Sequence, residues 1–126
     1  KRMRNLKHFK SHEFKCCGQN CSVANAFEKM NGELLERLDN AREIAKIPFK
    51  VNSSYRCEAK NKEVGGAMSS AHLTGEAVDI SCNGSINRAI ILGALIKAGF
   101  TRIGIAKTFV HADVSETLPQ NVVWLY

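Results

Sequence analysis

Two short stretches of this chain carry the residue types that hold a metal. Residues 69–83 read SSAHLTGEAVDISCN, and residues 109–113 read FVHAD. His72, Asp79 and His111 supply two imidazoles and one carboxylate. On zinc that set leaves one coordination position open, which is what separates a catalytic site from a closed structural one. Strand alternation puts Ala77 and Asp79 on one face, and His111 and Asp113 on one face of a second strand. Ala77 is small and leaves room above its strand. If the two strands pair, His111 faces Asp79, and His72 enters from the loop ahead of Gly75. A carboxylate among Val78, Ile80 and Val110 is costly unless it is paired or bound to a metal. Without a metal, the same histidines read as hydrogen-bonded residues beside a strand.

The elements that must position these groups are legible in part. Leu34, Leu38, Ala41 and Ala45 recur at helical spacing, widened by Leu35 and Ile44, and predict a helix from Gly32 to Lys46 capped by Asn31. Phe27 and Met30 belong to a preceding helical turn, and Pro48 closes the run. Residues 49–55 alternate as a short strand. A short helix follows from Cys57 to Val64, stopped by Gly65 and Gly66. Residues 67–75 read as loop and 77–81 as a strand. Ser85 is read as the cap of a helix through Ile86, Ile90, Ala94 and Lys97, ending at Gly99. Strands are predicted at 100–105, 109–114 and 122–125. Helices and strands mix without a regular βαβ rhythm, so the class is α+β.

Composition sets outer bounds. With 126 residues, 44% hydrophobic and 24% charged, the chain suits one globular core. No apolar run approaches the roughly 20 residues that cross a bilayer, and no signal peptide is visible. The first residue is Lys1 rather than Met, and an upstream signal or anchor is left open. The net charge is +6, with Lys1, Arg2, Arg4, Lys7, Lys10 and Lys15 crowded at the start. The division read from this is a basic N-terminal arm, 1–21, and a single domain, 22–126. The arm either favours a polyanionic partner or serves as a solubilising tail. Aromatic content of 7% is too low for a single-strand nucleic-acid binder. Five cysteines leave an odd one in a monomer. Cys16, Cys17 and Cys21 form an incomplete zinc knuckle, read as a local disulfide, as buried thiols, or as a small second metal site with His8 and His12.

The pattern SxHxxGxAxD at Ser70 to Asp79, preceded by SxYR at Ser53 to Arg56 and followed by FVHAD, resembles the M15 family of zinc peptidases. That family includes D-alanyl-D-alanine carboxypeptidases and peptidoglycan endopeptidases of phages and bacteria. The runs VNSSYRCEAKNKEVGG, AGFTRIGIAKTFVHADV and NVVWLY resemble one compact branch of it, so the likeness covers most of residues 10–126. The resemblance implies a hedgehog/DD-peptidase-like fold, a small antiparallel sheet flanked by helices. It implies zinc on His72, Asp79 and His111, with zinc-bound water as nucleophile. Arg56 matches the position that meets a substrate carboxylate or carbonyl, and Ser70 braces the histidine loop or touches substrate. Many relatives carry an acid three residues before the last histidine, where this chain has Thr108. Asp113 is therefore assigned either as the general base or as the partner that orients His111.

The expected activity is hydrolysis of amide bonds in peptidoglycan stem peptides by a monomer acting at the bacterial cell wall, whether exported, periplasmic or phage-delivered. No nucleic-acid partner is expected. A first rival is a metal-binding but catalytically inactive recognition module of the same fold. A second is a metal-free basic interaction domain, which predicts steep salt dependence of binding and no response to chelators.

Overall fold

The computed structural model describes residues 5–16 and 26–126. The α+β class is met. The chain runs through helix α1 (Gly32–Ala45), strand β1 (Val51–Ser53), helix α2 (Glu58–Glu63), strand β2 (Ala77–Ser81), helix α3 (Ser85–Lys97), and strands β3 (Arg102–Ile105), β4 (Phe109–Asp113) and β5 (Val122–Leu125). The five strands form one sheet in the order β1-β2-β4-β3-β5. Its first four strands pair antiparallel, as expected. β5 instead pairs parallel with β3, so the sheet is mixed.

Alternation sorts the sheet into two chemical faces. Val78 and Ile80 of β2, Val110 and Ala112 of β4 and Ile103 of β3 are buried in one cluster with Leu34, Leu38, Ile91 and Leu95 of α1 and α3. The helices thus cover this face. The opposite face carries Asp79, His111, Asp113 and Arg102.

α1 begins where the sequence placed it, with Asn31 Oδ1 accepting from Leu34 N at 3.0 Å. It buries Leu34, Leu35, Leu38 and Ala41. Ile44, expected to widen the stripe, is 39% exposed because it falls beyond the edge of the packed face. The helix ends on Lys46 in the left-handed region, before Pro48 can act. At α3 the cap position is Gly84, and Ser85 is the first helical residue without capping by its side chain. Residues 5–16 pack onto the domain, with Phe9 and Phe14 in the core cluster and Asp39 accepting from the backbone of Lys7 and His8. The boundary assigned at residues 21 and 22, and Cys17 and Cys21, lie outside the described residues.

Gly75 fixes how the histidine turn meets the rest of the fold. Its φ of +72° lies in the left-handed region, and a Cβ there would collide with the Lys29 carbonyl oxygen. Its own carbonyl accepts from Asn31 N at 2.9 Å, tying the turn to the start of α1. Gly75→Ala is expected to destabilise the fold by about 2 kcal/mol or more through backbone strain and collision, measured by urea unfolding.

Candidate metal centre

His72 lies in a single 3₁₀ turn, Ala71–Thr74, rather than in open loop. Ser70 caps this turn, its Oγ accepting from His72 N at 3.2 Å. The segment before α2 holds His72 by both its ring and its backbone. His72 Nδ1 bonds to the Ser54 carbonyl at 2.7 Å, and Arg56 N donates to the His72 carbonyl at 2.9 Å. A carbonyl only accepts, so Nδ1 must carry the proton. Nε2 is left facing Asp79 Oδ1 at 3.3 Å.

The strands deliver the other two groups. β2 and β4 pair with Asp79 directly opposite His111, as alternation and pairing required. His111 Nδ1 lies 2.9 Å from Asp79 Oδ1, and its Nε2 lies 2.7 Å from Asp113 Oδ2. Asp113 is 1% exposed. Its Oδ1 accepts from Arg102 Nε at 2.7 Å and from Ser115 N at 3.1 Å. Burial works to raise the Asp113 pKa, but His111, Arg102 and the Ser115 amide outweigh it and hold the carboxyl below its ordinary range. An ionised Asp113 only accepts, so it draws the His111 proton to Nε2 and leaves Nδ1 facing Asp79.

The donor atoms of His72, Asp79 and His111 lie within 4.8 Å of one another. When both rings are neutral, two nitrogen lone pairs and a carboxylate oxygen converge on one point. That arrangement repels itself unless protons or a cation stand between. A tetrahedral ion with bonds of roughly 2.0–2.1 Å places its ligands roughly 3.3 Å apart; His72 Nε2 stands at 3.3 Å from Asp79 Oδ1, and His111 Nδ1 is closer, at 2.9 Å. The residues therefore fit a metal of the zinc type in both donor chemistry and spacing. The same crowding acts on protons. Burial disfavours the charged His111 ring, yet Asp113 and Asp79 together raise its pKa. Burial also works to raise the Asp79 pKa, and the two histidines drive it well below the usual carboxylate range.

These groups floor a cavity of about 570 Å³. Arg56 reaches into it, steadied by Nη2 donating to Ser70 Oγ at 3.2 Å. Its Nε is buried without a hydrogen-bond partner. Desolvation lowers the Arg56 pKa, opposed by the charge of Asp79. Gly66 keeps this corner open, since a Cβ there would strike Asn61 and come within 3.3 Å of Arg56 Nη1. Ser70 thus joins Arg56 to the His72 turn. Thr108 is exposed and does not line the cavity; it stands just before β4, out of step with Phe109, His111 and Asp113. Glu76 also stays outside, taking the Thr74 hydroxyl at 2.6 Å.

The sequence reading missed a third layer. Arg102 ties Asp113 to the Pro119 carbonyl through Nη1 at 2.5 Å, and its guanidinium lies 4.9 Å from the Trp124 ring centre. The Trp124 and His111 rings are 5.4 Å apart. The only available signal was the alternation that puts Arg102 and Gly104 on one strand face. Arg102→Met is expected to cost about 3–5 kcal/mol in denaturant unfolding, because it strands a buried carboxylate. The double variant R102M/D113N should recover part of that loss. Equal stability of wild type and R102M would show that the pair does not hold the site.

Among the described residues no helix is long and apolar enough to cross a membrane. A search of curated proteins returns no match. The family model described as Peptidase M15 matches residues 7–113, which include His72, Asp79, His111 and Asp113. A metal-ready His-Asp-His cluster thus stands inside a match spanning most of the sequence: the chain belongs to the peptidase M15 family, a family of metal-dependent hydrolases.

Proposed function

We propose that this protein is a zinc-dependent peptidase that hydrolyses amide bonds in peptidoglycan stem peptides, as a carboxypeptidase or an endopeptidase acting at the bacterial cell wall. The observation that carries the reading is the convergence of His72 Nε2 and His111 Nδ1 on the Asp79 carboxylate at the floor of a cavity that also holds Arg56. A zinc ion held there supplies a Lewis acid that polarises a carbonyl and lowers the pKa of water towards roughly 7.

The chain's own residues do the rest. Arg56 offers a planar fork of donors, one of them buried and unpartnered, and binds a carboxylate or carbonyl of the peptide. Ser70 keeps that fork in register with the His72 turn. Ser54 and Asp113 hold the two ring protons away from the ligand atoms. For Asp113 we favour this positioning role over that of general base, because its oxygens already accept from Arg102, Ser115 and His111. The net charge of +6 keeps the protein near an anionic wall.

A second reading, a metal-binding recognition module without turnover, is favoured by one observation. Apart from Asp79 and Asp113, no acidic side chain lines the cavity among the described residues. Incubation with purified peptidoglycan, with zinc or with chelator, and mass analysis of the products separates the two. Peptide-bond cleavage that requires zinc is expected, and the mass of the fragments names the bond. Stoichiometric zinc with no cleavage would favour the recognition module. In the same experiment Asp113→Asn should weaken zinc affinity about 10–100-fold as well as slow cleavage. Lost cleavage at unchanged zinc affinity would return Asp113 to the role of base.

A further inference from the structure

β5 builds a wall of the cavity to which the proposed mechanism gives no task. It lies parallel to β3, with Gly104 paired to Trp124. A Cβ at Gly104 would come within 2.5 Å of the indole nitrogen and 2.8 Å of Tyr126 Cε2. The missing side chain lets both rings lie against the sheet. Tyr126 is then flanked by Phe109 and Trp124, with ring centres 5.1 and 6.3 Å away. Its backbone is fixed by N donating to the Ile105 carbonyl at 3.0 Å. The phenol shares the cavity with His72, Asp79, His111 and Arg56. A phenol carries one O–H donor. Burial, and next the charge of Asp79, raises the phenol pKa, so the hydroxyl stays protonated at neutral pH.

The geometry points to Tyr126 as a catalytic hydrogen-bond donor to the carbonyl oxygen of the scissile amide, seated there by Trp124 over Gly104. The inference rests on the peptidase reading above. In hydrolysis the water oxygen joins the carbonyl carbon, and the C=O π pair moves onto the carbonyl oxygen. That pair returns as the C–N bond breaks with its electrons on nitrogen. Both water protons end on the released amine, and a carboxylate remains. The phenol keeps its proton throughout and lends its hydrogen bond while the oxygen is charged. Such a bond is stronger to the charged oxygen than to the resting carbonyl, and that difference is what raises kcat.

Tyr126→Phe removes the hydroxyl and leaves the wall. On a peptidoglycan peptide that the wild type cleaves, kcat should fall about 10–100-fold with KM within about twofold. The loss is placed below the roughly 10²–10³ of an enclosed donor because Tyr126 is 66% exposed. The second readout is binding of a phosphinate peptide, a tetrahedral anion, against binding of the cleaved peptide. Both are followed by emission of Trp124, the single tryptophan of the chain. Y126F should bind the phosphinate about 10-fold or more weakly and the cleaved peptide as the wild type does. Unchanged kcat and phosphinate affinity in Y126F, beside an active wild type, would overturn the role of Tyr126 alone. A zinc-loaded wild type inert towards every peptidoglycan peptide would remove the peptidase reading and this inference with it.

Discussion

Asp79 sits between two imidazoles whose protons, when both rings are neutral, are held elsewhere, and the site depends on that constraint. The Ser54 carbonyl holds one proton on His72 Nδ1, and the Asp113 carboxylate holds the other on His111 Nε2. What remains is a cluster of acceptors in a nearly dry place. Such a cluster is unfavourable alone and favourable around a cation. The surrounding structure holds it against relaxation. Arg102 fixes Asp113, the segment 54–56 fixes the His72 turn, and Gly75 locks that turn to the start of α1. Free energy from packing the helical face thus maintains an arrangement that the site residues would not adopt by themselves.

The sheet makes this possible because its two faces do different work. One face is aliphatic and closed by α1 and α3. On the other, a single row crosses four strands: Asp79 beside His111, His111 beside Gly104, and Gly104 beside Trp124. The row reads as carboxylate, imidazole, gap and ring. The gap matters as much as the side chains, since it lets the indole approach the His111 ring. Arg102 stands one pair along and joins the proton-holding carboxylate to the same indole. The floor and the aromatic wall of the cavity are therefore one mechanical unit.

How much of this was legible in the sequence followed from how local each signal is. Asp79, His111 and Asp113 could be placed because two-residue alternation and the pairing of neighbouring strands need no knowledge of distant chain. Asn31 could be placed because a cap bonds three residues away. Trp124 and Arg102 could not, because their meeting depends on β5 crossing to lie parallel to β3, and nothing between Asp113 and Val122 encodes that crossing. The aperiodic residues 5–16 read as an arm for a related reason. Phe9 and Phe14 are buried by tertiary contact, and isolated aromatics without a period carry no sign of it. Thr108 looked like a missing acid when counted back from His111. In the folded chain that position lies outside the cavity, and counting along the chain does not give direction in space.

The most direct measurement is zinc K-edge X-ray absorption on the protein loaded with one equivalent of zinc. The account expects tight binding of one ion in a shell of nitrogen and oxygen only, with the outer-shell scattering of two imidazoles. Sulfur in the shell, or failure to retain one equivalent of zinc, would contradict it by moving the metal to the cysteines or removing it from the protein.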